Sequence, residues 1–252
     1  MAQTKIWYSF YDRKAYQGEE PAFFDGKDFP ETYILEDNYE QIREELYRYL
    51  ESDRNMTAYF SHAMVSRKNS WKTIPLMTWG VKFHKNLREF EFTEKLLKQI
   101  PGLVSASFNQ LEANSEIKPH FGDTNAIGRC HLGLVIPGNL PEVGFKVNGI
   151  EKDWEEGKLL YFCDGYEHTA WNYSNEDRYI LLLDIIRPEF IKKKRRICGN
   201  VLGSLFLQSL AQKLPFLAKT PLVFQFLLHL ISKYSAIGLT PIWNFIAKLI
   251  YR

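Results

Sequence analysis

Apolar positions along this chain change their period as it runs. Tyr39, Ile42, Leu46 and Leu50 recur near helical spacing behind Asp37 or Asn38, either of which can cap a helix, and the pattern ends around Ser52. It predicts an amphipathic packing helix. Thr93 offers a cap to a second, short helix over 94–100 that Pro101-Gly102 closes. Beyond Gly102 the period shortens. Residues 103–111, 130–136, 144–147, 159–163 and 179–185 read as strands, separated by Pro137-Gly138, Asn148-Gly149, Asp164-Gly165 and Ser174-Asn175. Asn148-Gly149 is the strongest hairpin signal among them. Short strands at this spacing predict a mainly β protein with flanking helices, built as a sandwich or barrel of which the jelly roll or cupin is one member.

The two ends differ from this middle. Residues 1–35 are aromatic and turn-rich, with Trp7, Tyr8, Phe10, Phe23 and Phe24, and predict a wrapping segment held by its rings. Residues 70–80 place Trp71 and Trp79 around Pro75, where buried aromatic packing is favoured over a site wall. After Arg187-Pro188-Glu189 come three apolar, helix-like pieces near 201–214, 221–234 and 241–251, punctuated by Pro215, Pro221, Gly238 and Pro241. Each falls short of the ~20 residues that cross a bilayer.

Composition sharpens the division. A chain of 252 residues, 45% hydrophobic, has enough apolar side chain for a large core and is not disordered. The formal charge of +2 hides an asymmetry: residues 192–252 hold ten Lys and Arg and no acid, which leaves −8 for residues 1–191. The tail therefore reads either as a helical appendage packed on the β part or on another subunit, or as a peripheral contact with an anionic membrane. No motif or fold for reading nucleic acid accompanies the charge. Cys130, Cys163 and Cys198 are too few and too scattered for a disulfide framework and have no metal-ligand spacing. The first ten residues carry no apolar signal region. The cytoplasm is the expected location.

Chemistry concentrates in two clusters. His120 follows Pro119 and precedes a turn-rich segment, after which Arg129 and His131 enter a strand; downstream, Glu167-His168 follows another strand and Arg178 opens the next. Each of His120 and His168 is followed by an arginine, nine residues on in the first case and ten in the second. Imidazoles at strand ends suit iron, copper, nickel or zinc, and a site with few protein ligands leaves coordination positions open. Guanidinium groups pointing into a barrel are costly unless paired, so two of them imply an anionic ligand, most simply a carboxylate. Cys130, between Arg129 and His131, should face the other side of its strand.

These residues carry a resemblance. His120-Phe-Gly-Asp-Thr-Asn, Arg129-Cys-His-Leu-Gly-Leu-Val-Ile-Pro, Trp154-Glu-Glu-Gly-Lys, Glu167-His168 with Trp171 and Arg178, and Asp184-Ile-Ile-Arg-Pro-Glu together resemble the aspartyl/asparaginyl β-hydroxylase family of iron(II)- and 2-oxoglutarate-dependent dioxygenases. The likeness covers about residues 100–190 strongly and the aromatic part before them weakly. It implies a double-stranded β-helix core within a dioxygenase domain over 1–191, followed by the helical tail at 192–252. It further implies iron(II) on His120 and His168, and 2-oxoglutarate held by Arg129 and Arg178 with His131 beside it. Dioxygen completes the set of reactants. Gly122 stands where most 2-oxoglutarate oxygenases place a third, carboxylate ligand, an absence this narrower family shares. Asn109 stands where the family has a serine that helps bind 2-oxoglutarate, and its amide is the expected substitute.

The function so implied is hydroxylation of an unactivated C–H bond, first of all the β-carbon of an aspartyl or asparaginyl side chain in a peptide, protein or free amino acid. The alternatives are an acyl-chain hydroxylase of a membrane lipid, which the tail would suit, and a non-catalytic β-barrel binding module. Asp164 reads as a hairpin corner, and Asp184 as the anchor of a loop or a partner of Arg187.

Overall fold

The computed structural model describes residues 5–52, 54–59 and 64–251, and among these lie eleven strands and seven α-helices, besides short 3-10 turns. Met1 and Arg252, which enter the signal and charge readings above, lie outside the described residues. The strands are β1 (Thr57–Ala58), β2 (Trp71–Thr78), β3 (Val81–Lys82), β4 (Leu103–Leu111), β5 (Ser115–His120), β6 (Ile127–Val135), β7 (Val143–Val147), β8 (Ile150–Lys152), β9 (Leu159–Cys163), β10 (His168–Asn172) and β11 (Arg178–Ile186). The helices are α1 (Ser9–Asp12), α2 (Tyr33–Glu36), α3 (Tyr39–Glu51), α4 (His84–Leu87), α5 (Glu91–Leu97), α6 (Lys194–Lys213) and α7 (Leu222–Ile250).

One sheet runs β1-β2-β4-β11-β6-β9, with β3 on β2; the other runs β5-β10-β7-β8. Every pairing is antiparallel. From β4 to β11 the chain passes repeatedly between the sheets, so that neighbours in sequence seldom pair with each other. The order β4-β11-β6-β9 against β5-β10-β7-β8 is that of a double-stranded β-helix, the expected fold. The hairpin at Asn148-Gly149 is present: both residues have positive φ, 48° and 79°, and join Val147 to Ile150 across β7 and β8.

Alternation along the strands of the large sheet separates two cores. Leu181 and Leu183 of β11, with Cys130 and Leu132 of β6, face outward onto Ile42 and Leu46 of α3 and Leu96 and Leu97 of α5. Ile180 instead joins Ile117, Phe145 and Phe162 between the sheets. Complete burial of one such side chain contributes roughly 1.5–3 kcal/mol. Cys130 therefore lies opposite its polar neighbours, as expected. The cap of α5 differs from expectation. Thr93 lies inside the helix, and Glu45 of α3 accepts the backbone N–H groups of Phe92 and Thr93 at 2.9 and 2.8 Å. A carboxylate from another helix replaces the local cap.

The tail also departs from the sequence reading. Two long helices stand where three pieces were expected, because α7 runs 29 residues through Pro241. Proline deprives the carbonyl four residues earlier of its helical partner. Here that carbonyl, Ile237 O, accepts from Arg195 Nη2 of α6 at 3.1 Å, which offsets the loss. By length and composition α7 is apolar enough to cross a membrane, so the expectation that every piece is too short is corrected. It nevertheless lies along the β-domain. Asn244 bonds to Lys82 N and Gly80 O, and His229 and Gln225 bond to Tyr11 and Arg13.

Candidate active site

β5 ends at His120 and β10 begins at His168, and the register sets the two residues opposite each other. Their ring centroids are 4.2 Å apart. Each Nδ1 lies on a backbone carbonyl two residues earlier, His120 on Lys118 O at 2.8 Å and His168 on Tyr166 O at 2.9 Å. A carbonyl can only accept, so each Nδ1 carries the hydrogen and each Nε2 presents a lone pair. Burial lowers the pKa of both rings, that of His120 to about 4 and that of His168 well below its usual value. Both are neutral at pH 7, the form that ligates a metal. Two oriented Nε2 atoms at neighbouring strand ends fit a metal ion held by two protein ligands.

Arg178 opens β11 at 1% exposure, and its Nε and Nη1 have no hydrogen-bond partner among the described residues. The Trp154 ring covers it, 4.6 Å from the guanidinium carbon. Burial lowers its pKa to about 9, which leaves it charged at neutral pH. The Trp154 indole N–H donates to His131 Nδ1 at 3.3 Å. An indole nitrogen is only a donor, so the His131 hydrogen sits on Nε2, itself buried and unpartnered. Two buried groups beside Trp154 thus hold unused donors, and an unused buried donor is costly. A carboxylate fits them.

The other two expected co-substrate contacts are already engaged. Arg129 grips Asp184 through Nε and Nη2 at 2.6 and 3.1 Å and meets Asp164 Oδ1 at 2.5 Å. Burial alone would lower its pKa, but the two carboxylates outweigh it and raise it. Burial pushes the pKa of Asp164 up to about 7, and with Asp123 nearby one guanidinium faces three carboxyl groups. Asn109 lines the cavity, yet its Oδ1 accepts from Trp71 Nε1 and its Nδ2 donates to both Ser107 O and Ser107 Oγ. As folded, its amide forms wall and offers no free donor.

His120, His131, His168, Arg129, Arg178 and Asn109 all line one cavity between the sheets, with Trp71, Phe145, Phe162 and Ile180 as apolar wall. Trp71 is thus core and site wall together. Gly122 has a steric reason: a Cβ there would lie 1.8 Å from Asp164 Oδ2. Asp164, read above as a hairpin corner, fills that space, and Asp184 pairs with Arg129 instead of Arg187. Arg187 binds Glu20 and Glu189. Trp154 stood in the quoted motifs without a role, and nothing local in the sequence assigns it one.

Two histidines at the ends of facing strands and a buried guanidinium without a hydrogen-bond partner for its Nε and Nη1 among the described residues share one cavity inside a double-stranded β-helix, a jelly roll. The Aspartyl/Asparaginyl beta-hydroxylase profile matches residues 36–188, and the chain belongs to that family. It is 32% identical over 172 residues to the ornithine lipid ester-linked acyl 2-hydroxylase of Rhizobium tropici, across 67% of this chain and 61% of the relative. It is 29% identical over 169 residues to the human aspartyl/asparaginyl beta-hydroxylase, across 64% of this chain and 22% of that protein. The match therefore spans less than two thirds of either relative. Among solved structures, a Pseudomonas putida prolyl-4-hydroxylase aligns with 60% of this chain and 87% of its own, at 15% identity and a TM-score of 0.42.

Proposed function

We propose that this protein is an iron(II)- and 2-oxoglutarate-dependent hydroxylase, a dioxygenase acting on an unactivated C–H bond. The observation that supports it most is the occurrence together of two Nε2 lone pairs and a buried guanidinium with no carboxylate paired to it among the described residues. Bound iron(II) with dioxygen supplies the oxidation, coupled to decarboxylation of 2-oxoglutarate to succinate. His120 and His168 hold the metal, their rings fixed by the Nδ1 bonds to Lys118 O and Tyr166 O. Arg178 takes a carboxylate of the co-substrate, His131 Nε2–H adds a second donor, and Trp154 orients both. Arg129, held by Asp184 and Asp164, borders the site. Phe145 and Phe162 limit water. Succinate formation should require iron(II) and collapse in His120→Ala and in His168→Ala. Full activity in either variant would remove that residue as a ligand.

For the substrate, the first reading is the β-carbon of an aspartyl or asparaginyl side chain, supported by the likeness to the human aspartyl/asparaginyl beta-hydroxylase. A second reading, the acyl chain of a membrane lipid, has an observation of its own. α7 exposes Val223 (80%), Phe245 (66%) and Ile250 (68%), on a segment with ten cations and no acid. Because both halves of α7 are bonded to the β-domain, the tail would lie on an anionic bilayer and not cross it. On this reading the enzyme works at the cytoplasmic face of a membrane. The full chain should sediment with vesicles containing phosphatidylglycerol, less so at high salt and least with Phe245→Glu. A chain that stays in solution at low salt removes this support.

A further inference from the structure

Residues 5–24 form the wrapping segment expected from their rings, and they are tied to the two loops beside the paired imidazoles. Trp7 N donates to Asn125 Oδ1 at 2.8 Å, Thr124 Oγ1 to Trp7 O at 2.7 Å and Ser9 N to Asp123 O at 3.1 Å, which fastens the segment to the loop after His120. Further on it runs beside β9, where Cys163 N donates to Ala22 O and Phe24 N to Tyr161 O, both at 3.0 Å. Between these anchors, residues 16–20 reach the turn 164–167 that leads into His168. The hydroxylation chemistry above gives them no part.

That turn carries the acceptor on which His168 depends. His168 Nδ1–H donates to Tyr166 O as His120 Nδ1–H does to Lys118 O, but the two carbonyls differ in support. Lys118 lies within β5, whereas Tyr166 lies outside any strand, two residues before β10. Tyr166 is held through its side chain instead: the buried hydroxyl donates between Gly18 O and Glu20 O, each 2.8 Å from Oη. Glu20 locks the wrapping segment there. Its side chain is 7% exposed; Oε1 accepts from Arg187 Nη1 at 2.7 Å and Asn125 Nδ2 at 3.2 Å, and Oε2 accepts from Tyr16 Oη. A Cβ on Gly165 would lie 3.0 Å from the Tyr16 ring and 3.3 Å from Asn125 Cβ, so the turn is wedged between them. Breaking a buried, paired carboxylate of this kind is costly, which makes the carbonyls of Gly18 and Glu20 fixed points.

We infer that Tyr166 is a positioning residue of the metal site: clamped by Gly18 O and Glu20 O, it holds the carbonyl that fixes the ring and tautomer of His168, with Glu20 as the latch of the clamp. The inference rests on the hydroxylase reading and adds to it a segment that carries no ligand of its own. With the clamp released, the 166–167 peptide can turn away, the Nδ1–H loses its acceptor, and the ring is free to rotate and to move its hydrogen to Nε2, the atom that must face the metal. Removing a group that orients a metal-ligating imidazole weakens metal binding about 10–100-fold.

Cobalt(II) titration of the full chain, followed by its d–d absorption, reads the ligand set. Imidazole nitrogen NMR of the metal-free protein reads the His168 tautomer, its signal identified by its absence in His168→Gln. The unaltered chain should show the Nδ1–H tautomer and bind cobalt(II). Tyr166→Phe, which deletes only the hydroxyl, should mix the tautomers and weaken cobalt(II) binding about ten-fold or more. Glu20→Ala should act in the same direction, and Glu20→Gln, which keeps an acceptor for Arg187 and Asn125, should restore most of the affinity. Tyr161→Phe removes a buried hydroxyl bonded to Thr32 in the outer core and should lower stability without moving either reading. Circular dichroism checks that each variant folds, and the Glu20 pair decides if Tyr166→Phe does not. Affinity and tautomer unchanged in Tyr166→Phe and Glu20→Ala, or changed equally by Tyr161→Phe, would overturn the clamp. If the unaltered chain binds no cobalt(II) while the tautomer still responds to Tyr166→Phe, the hydroxylase reading fails and the clamp on His168 stands.

Discussion

Replacing Arg178 by Met should stabilise the ligand-free protein while abolishing its grip on the co-substrate. The side chain is 1% exposed, its Nε and Nη1 lack partners, and no carboxylate is paired with it among the described residues. A buried ion without a counter-charge costs several kcal/mol even after relaxation. The face of Trp154, 4.6 Å away, returns about 0.5–2 kcal/mol of that. Methionine is unbranched, similar in length and free of charge, so a net gain of about 1–3 kcal/mol is expected. For a chain of this size that raises Tm by about 2–10 °C. In the unaltered protein, 2-oxoglutarate at a hundred times its Kd should add about 2.7 kcal/mol, and the variant should lose this response. Removing one partner of a charge-assisted pair weakens binding by about 2–5 kcal/mol, a factor of roughly thirty or more. Thermal unfolding with and without 2-oxoglutarate, together with the 2-oxoglutarate dependence of succinate release, reads both effects. A variant that unfolds earlier without ligand and keeps its co-substrate dependence would mean that Arg178 serves the fold, and the argument from its missing partner would be refuted.

Two further consequences follow from other contacts. Gly122→Ala would drive a methyl group into the carboxylate of Asp164, which Arg129 holds in place, so denaturant unfolding should show a loss of about 1–3 kcal/mol; a neutral result would show that Asp164 moves freely. His229 is fully buried, accepts from Tyr11 Oη at Nδ1 (2.8 Å) and donates from Nε2 to Asn200 O (2.9 Å), and burial lowers its pKa. Its neutral form is the one that docks α7. The unfolded chain therefore binds the extra proton first, and the contribution of this residue is complete above about pH 6.5 and declines as pH falls below it. Amide exchange in α7 should accelerate between pH 7.5 and 5.5 after correction for intrinsic rates, and less so in His229→Gln. Equal acceleration in both chains would assign the change to other groups.

Periodicity and turn chemistry made most of the β core legible, because Leu103–Leu111 and Arg178–Ile186 combine alternation with firm turn signals. The imidazoles were legible as strand-end histidines. Their meeting was not, since the His120 to His168 register depends on pairing between strands 48 residues apart in sequence. The resemblance supplied the roles of Arg129 and Arg178 alike, but only the folded chain separates them. Asp184 lies opposite Arg129 across β11 and β6, and Asp164 follows the end of β9, so Arg129 is neutralised from two directions, while Arg178 lies against the Trp154 ring with no carboxylate paired to it among the described residues. Asp164-Gly165 has the sequence of an ordinary turn, and nothing local distinguishes a turn carboxylate that is solvated from one that is buried.

The tail obeys the same logic. Pro241 interrupts α7 on any local reading, with a cost of about 3 kcal/mol inside a helix. The group that answers the orphaned carbonyl of Ile237 is Arg195, 42 residues earlier and on another helix. One of the basic residues that suggested an anionic surface is thereby used inside the protein, as is Lys194, whose Nζ donates to Leu103 O at 2.9 Å. The charge available to a membrane is therefore smaller than the sequence total of ten. Apolar exposure along α7 must then provide most of any binding, and salt should weaken vesicle association without removing it, while Phe245→Glu should remove more.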